Sequence, residues 1–164
     1  MAQLFVVRRE GQGFLAMMPH PDAARLPVEL AQLRSNRVAM LVSLLQPSER
    51  DSLGLADTET LCTEHGIQYL SHPVPDFGTP ADAQAFAALA LTLKRDLLDG
   101  SGIVVHCRAG IGRSGLLAAS VLVALGASPT TAFTEVSTAR GETVPEAPAQ
   151  GRWLKRHRKL LHPG

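Results

Sequence analysis

The chain has 164 residues, 45% hydrophobic and 19% charged, with a formal net charge of +1. That length supports one domain, residues 1–164, with a real core. The near-neutral balance offers no field to gather nucleic acid, and two cysteines make no disulfide framework. No stretch approaches the ~20 apolar residues needed to insert across a bilayer.

Met1 to Gly11 carries Arg8, Arg9 and Glu10 after a short apolar run and is not expected to be a signal peptide. Leu4 to Arg8 and Phe14 to Met18, split by Gly11-Gln12-Gly13, predict an opening β-hairpin that ends at Pro19-His20-Pro21. Pro27 to Arg34 has helical spacing through Leu30 and Leu33. Val38 to Leu45 is a continuous apolar run, expected as a central strand. Pro47 opens a short helical turn, and a further helix runs from Asp57 to near Gly66. Ile67 to Leu70 predicts a strand, followed by a loop, Ser71 to Pro80. The longest predicted helix, Pro80 to Asp99, carries a stripe of Phe86, Leu89, Leu93 and Leu97. Asp82 is expected there as a first-turn charge. A buried strand, Gly102 to His106, precedes helices at Ser114 to Leu125, Ser128 to about Ala139 and Gln150 to His162. Strands alternating with helices predict an α/β fold: a mostly parallel central sheet of about five strands flanked by helices.

The segment His106-Cys107-Arg108-Ala109-Gly110-Ile111-Gly112-Arg113-Ser114-Gly115 joins a buried strand to a helix. Small residues and glycines between Cys107 and Arg113 let backbone N–H groups turn inward at a helix N-terminus, an arrangement suited to phosphate. The helix dipole and Arg113 both favour the thiolate at its centre. A thiolate facing phosphate is a nucleophile in position. Arg113 can hold two phosphate oxygens through its planar fork, together with the amides of Arg108, Ala109, Gly110, Ile111 and Gly112. Ser114 is read as a hydrogen-bond donor to the Cys107 sulfur, a role compatible with capping the helix. Asp76, in Pro73-Val74-Pro75-Asp76-Phe77-Gly78-Thr79-Pro80, is the expected proton donor to the leaving oxygen. This chemistry calls for no metal or cofactor. The cations Arg152, Lys155, Arg156, Arg158 and Lys159 are read as a solvated helix face.

The ten-residue segment resembles the His-Cys-x5-Arg-Ser/Thr signature of the cysteine-dependent protein tyrosine and dual-specificity phosphatases. Leu15-Ala16-Met17-Met18-Pro19 and Val38 to Leu45 are similar to the start of small bacterial members related to kinase-associated phosphatases. The resemblance implies phosphate removal from phosphotyrosine, with phosphoserine and phosphothreonine admitted by a shallow pocket, through a phosphocysteine intermediate. It places the general acid at Asp76, a loop-orienting role at His106, and a water-orienting role at Gln150. It also raises a protective disulfide between Cys62 and Cys107. A nucleophilic thiol needs a reducing compartment, so a cytoplasmic setting is expected. The partner is then a phosphoprotein or a phosphorylated small molecule. An inositol phosphate or phosphoinositide substrate, or a phosphoprotein-binding module without turnover, are the alternatives. Oligomeric state is left open.

Overall fold

The computed structural model describes residues 3–163. A turn at Gly11, which adopts a positive φ of 57°, folds β1 (Phe5–Glu10) back onto β2 (Gly13–Met18). Glycine takes that left-handed conformation without a Cβ penalty. The chain then passes through a short 3-10 turn, Ala23–Arg25, into α1 (Leu26–Ser35). It continues through β3 (Val38–Ser43), α2 (Pro47–Ser52), α3 (Thr58–Glu64) and β4 (Gln68–Ser71). The remaining elements are α4 (Ala83–Leu98), β5 (Gly102–His106), α5 (Gly112–Ala124), α6 (Pro129–Arg140) and α7 (Pro148–Leu161).

The five strands form one sheet in the order β1-β2-β5-β3-β4. β1 and β2 pair antiparallel, as a hairpin must, whereas β2–β5, β5–β3 and β3–β4 pair parallel. The interior strands β2 and β5 are buried along their whole length. This is why they read as unbroken apolar runs and not as alternating ones.

Each face of the sheet carries its own core. Leu15, Met17, Val42, Ile103 and Val105 face a layer built from α4, α5, α6 and α7. Ala16, Met18, Leu41 and Val104 face a smaller layer that includes Leu30, Leu33 and Cys62 from α1 and α3. Every residue of α5 is buried. A helix apolar around its full circumference belongs in the middle of its layer.

Three helix starts differ from expectation by two residues or more. α4 begins at Ala83 and not at Pro80, because the Asp82 carboxylate accepts from Ala85 N at 3.0 Å and fixes the boundary. Asp82 is therefore an N-cap and not a first-turn charge. α5 begins at Gly112, two residues early, with Ile111 at the cap position. Ser114 is thus inside the first turn, and its hydroxyl is not a cap. α7 begins at Pro148, whose fixed φ suits a first helical position.

Candidate active site

β5 ends at His106, at the carboxyl edge of the parallel strands, where such sheets open toward ligands. The chain leaves the strand at Cys107 and enters α5 at Gly112. The loop closes tightly because Gly110 adopts φ 71°. A side chain there would collide with the carbonyl of Met18, so only glycine fits.

Cys107 is 2% exposed, and Ser114 Oγ donates a hydrogen bond to its sulfur at 3.0 Å. The predicted pair is therefore in contact. His106 lies fully inside the fold and donates from Nδ1 to the Cys107 carbonyl at 3.1 Å. Burial drives its pKa down to about 4, with His20 and Arg113 adding repulsion, so it is neutral at ordinary pH.

Arg113 is 2% exposed and heavily committed. Its Nη1 and Nη2 donate to the two oxygens of Glu49 at 2.8 and 2.9 Å. Nη1 also donates to the Val74 carbonyl at 2.9 Å, and Nη2 lies 3.1 Å from Asp76 Oδ1. Its Nε is buried without a partner. An orphaned donor in such a site costs free energy unless a ligand satisfies it. Glu49 is itself fixed by the Gln46 amide at 2.9 Å, with Arg108 Nε 3.6 Å away. The bond from Arg113 holds its carboxyl below the usual range, against the opposing effect of burial.

The loop that carries Asp76 reaches the site. Val74 N donates to the Leu44 carbonyl at 3.0 Å, which carries the chain across the end of β3. Asp76 is 43% exposed at its side chain and accepts from the Phe77 amide. Phe77 has a positive φ of 57° and is 59% exposed. Gln150 also arrives at the site but is fully buried. Its Nε2 donates to the Gly78 carbonyl at 3.2 Å, and its Oε1 accepts from Ala147 N at 3.3 Å.

Three residues not singled out from the sequence also converge here. Glu49 is one. Its signal was the Gln46-Pro47-Ser48-Glu49 helix start, where a carboxylate three residues past the cap turns back to the cap amide. Arg140, at the end of α6, donates to the Gly110 and Ala109 carbonyls at 2.8 and 3.2 Å. Its guanidinium lies 4.0 Å over the Phe5 ring. These bonds fix the Ala109 and Gly110 carbonyls toward Arg140. Glu146 is the third, and its carboxylate lies against Gly112. Among the described residues no three His, Cys, Asp or Glu side chains gather in a metal-binding cluster.

The profile of the family described as "Tc-R-P: Polymorphic toxin system, DSP-PTPase phosphatase" matches residues 18–127. The chain belongs to this family. The match begins at Met18, the last residue of β2, and runs through the loop of Asp76, Cys107, Arg113 and all of α5. Cys107 with Arg113 beside it fits the catalytic loop of a DSP-PTPase. In sequence, a 61-residue stretch is 41% identical to receptor-type tyrosine-protein phosphatase R of Rattus norvegicus. That stretch is 35% of this chain and spans 9% of the receptor's length. In structure, this DSP-PTPase resembles kinase associated phosphatase carrying serine for its catalytic cysteine. The TM-score is 0.87 at 22% identity, over 99% of this chain and 97% of the other. PTPMT1 in complex with PI(5)P aligns with TM-score 0.77 at 18% identity, over 95% and 96% of the two chains. These structural likenesses establish the phosphatase fold. Among the described residues no helix is long and apolar enough to cross a membrane.

Proposed function

We propose that residues 1–164 act as one catalytic domain that hydrolyses phosphotyrosine, and with it phosphoserine and phosphothreonine, on proteins. Cys107 attacks phosphorus, a phosphocysteine forms, and Asp76 gives a proton to the departing oxygen. Arg113 and the amides of Arg108 to Gly112 hold the equatorial oxygens, a fixed charge arrangement that needs no reorganisation during reaction. Ser114 stabilises the sulfur when it leaves. His106 holds the loop's first carbonyl, and Gln150 fixes the acid loop over it.

The observation that carries this reading is the state of Arg113. Glu49 holds its outer edge by two bonds while Nε stays buried and unpartnered. That is a cation prepared for an anion beside a thiol already hydrogen-bonded by Ser114. Phe77 supports an aromatic phosphate, since it exposes a flat apolar face one residue from Asp76. Glu49, Asp76 and Glu146 around one loop argue against a polyanionic inositol phosphate, because Arg108 is the half-exposed cation there and already faces Glu49. A free thiol nucleophile suits a reducing bacterial cytoplasm.

The test is hydrolysis of p-nitrophenyl phosphate in the presence of chelator, wild type against Cys107→Ser. Activity lost only in the variant supports the thiol mechanism. Activity surviving in Cys107→Ser overturns it. Tight phosphopeptide binding without turnover in the wild type would make the chain a binding module. Rates on phosphopeptides against inositol phosphates then decide the substrate class.

A further inference from the structure

Glu146 is a carboxylate in the site that the phosphocysteine scheme does not use. A methyl group placed on Gly112 would meet Glu146 Oε1 at 2.5 Å and Gln150 Nε2 at 3.3 Å. Both side chains therefore lie over the first residue of α5, at the mouth of the anion loop. The two differ in what they have free. The Gln150 amide is spent on Gly78 and Ala147. Glu146 takes part in no ion pair among the described residues, and it is exposed to solvent.

The backbone that carries Glu146 is held firmly. Ser137 Oγ donates to the Val144 carbonyl at 3.1 Å and accepts from the Val144 amide at 2.9 Å. Val144 packs so closely on Gly115 that a Cβ there would come within 2.5 Å of Cγ1. Pro145 rests on Gly151 of α7, and Ala147 N is tied to Gln150. A free carboxylate on an anchored loop is preorganised for contact with a small ligand.

We propose that Glu146 is the base for the second chemical step, accepting a proton from the water that hydrolyses the phosphocysteine. The inference rests on the phosphocysteine reading above. Water oxygen attacks phosphorus, the new O–P bond forms and the P–S bond breaks. The electron pair returns to the Cys107 sulfur, where the Ser114 hydroxyl stabilises it. The water proton passes to the Glu146 carboxylate and then to solvent, and inorganic phosphate leaves. Asp76, a carboxylate once it has given its proton to the leaving oxygen, is the rival base, and its oxygen pairs with Arg113 at 3.1 Å, whereas Glu146 has no such pair.

The groups facing Glu146 are Asp76 from the acid loop and Arg113 from α5. Partial covering of the carboxyl first, and then repulsion from Asp76, raise its pKa above the ordinary carboxylate value, with Arg113 opposing. A base must be ionised, so Glu146 would set an acidic limb on kcat, displaced upward from the usual carboxylate range near 4.

The experiment is rapid mixing with p-nitrophenyl phosphate, comparing wild type, Glu146→Gln, Glu146→Asp and Cys107→Ser. Glu146 is exposed, so these substitutions leave the core untouched. In Glu146→Gln the burst of nitrophenol persists, steady turnover falls by about 100-fold or more, and phosphoenzyme accumulates after acid quench. The acidic limb of kcat disappears in Glu146→Gln, and Glu146→Asp recovers part of the turnover. Unchanged turnover and unchanged phosphoenzyme in Glu146→Gln, while Cys107→Ser is dead, overturn the role of Glu146 and leave the phosphocysteine intact. Loss of the burst itself in Glu146→Gln assigns it to the first step and also overturns the proposal. A quenched wild type with no phosphate on Cys107 in any variant removes the intermediate on which both depend.

Discussion

With both oxygens of Glu49 engaged by Arg113, the guanidinium plane has one orientation, and its buried Nε has one direction to point. A carboxylate does this better than an amide, because both of its oxygens accept. Glu49→Gln keeps the shape and leaves a single acceptor. Its kcat/KM on p-nitrophenyl phosphate is expected to drop by about 10- to 100-fold, since small misplacement of a phosphate-binding group is costly. An unchanged kcat/KM would mean that the Val74 carbonyl and the loop alone align Arg113. Glu49 was hard to single out beforehand because its partner is 64 residues away in sequence. Its helix-start pattern is explained just as well by local capping, which it also performs through the Gln46 amide.

Between elements, the tip of the loop, residues 76–79, is fastened at two points. Asp76 reaches Arg113 of α5, and the Gly78 carbonyl receives Gln150 of α7. Gln150→Ala removes the second fastening, together with the bond from Ala147 N, and leaves Asp76 on Arg113. Amide exchange over residues 76–79 is expected to accelerate in that variant, read by mass spectrometry, with segments of α5 unchanged. Exchange that stays slow would show that Asp76 suffices to hold the loop. The elements themselves were mostly legible. Val38 to Ser43 and Gly102 to His106 stand out because buried parallel strands are written as unbroken apolar runs, and the opening hairpin because Gly11-Gln12-Gly13 splits two short apolar runs. The site motif was legible because its residues are consecutive and because Gly110 can be nothing larger. What periodicity could not convey is the pairing of distant loops. Arg140 and Glu146 sit where α6 ends and α7 begins, in a stretch without periodic pattern. Their tasks exist only once α5 has packed between those helices.

For the molecule as a whole, the same buried site ties stability to pH. His106 is neutral in the fold, its pKa pushed by burial from the ordinary histidine value of about 6.5 down to about 4. A histidine lowered on folding contributes stability that is complete above the unfolded value and is lost as pH falls through the folded one. The gap corresponds to roughly 3 kcal/mol between about pH 6.5 and pH 4. Melting temperature is therefore expected to decline across that window, and the decline should shrink in His106→Asn. An equally steep decline in that variant would assign it to other groups.

The sheet itself has one more effect. Cys62 packs among Leu41, Ile67 and Val104 on one face, while Cys107 packs with Val42 and Val105 on the other. Burial also pushes the Cys62 thiol up to about 11, with Glu59 adding to the rise, so at neutral pH it holds its proton. The disulfide that the resemblance raises between the two would have to form through a wall of five strands. A Cys107 oxidised to sulfenic acid thus has no resolving thiol within its own chain. Its repair becomes a bimolecular reaction with a small thiol from solution, and the recovery rate follows the concentration of that reductant.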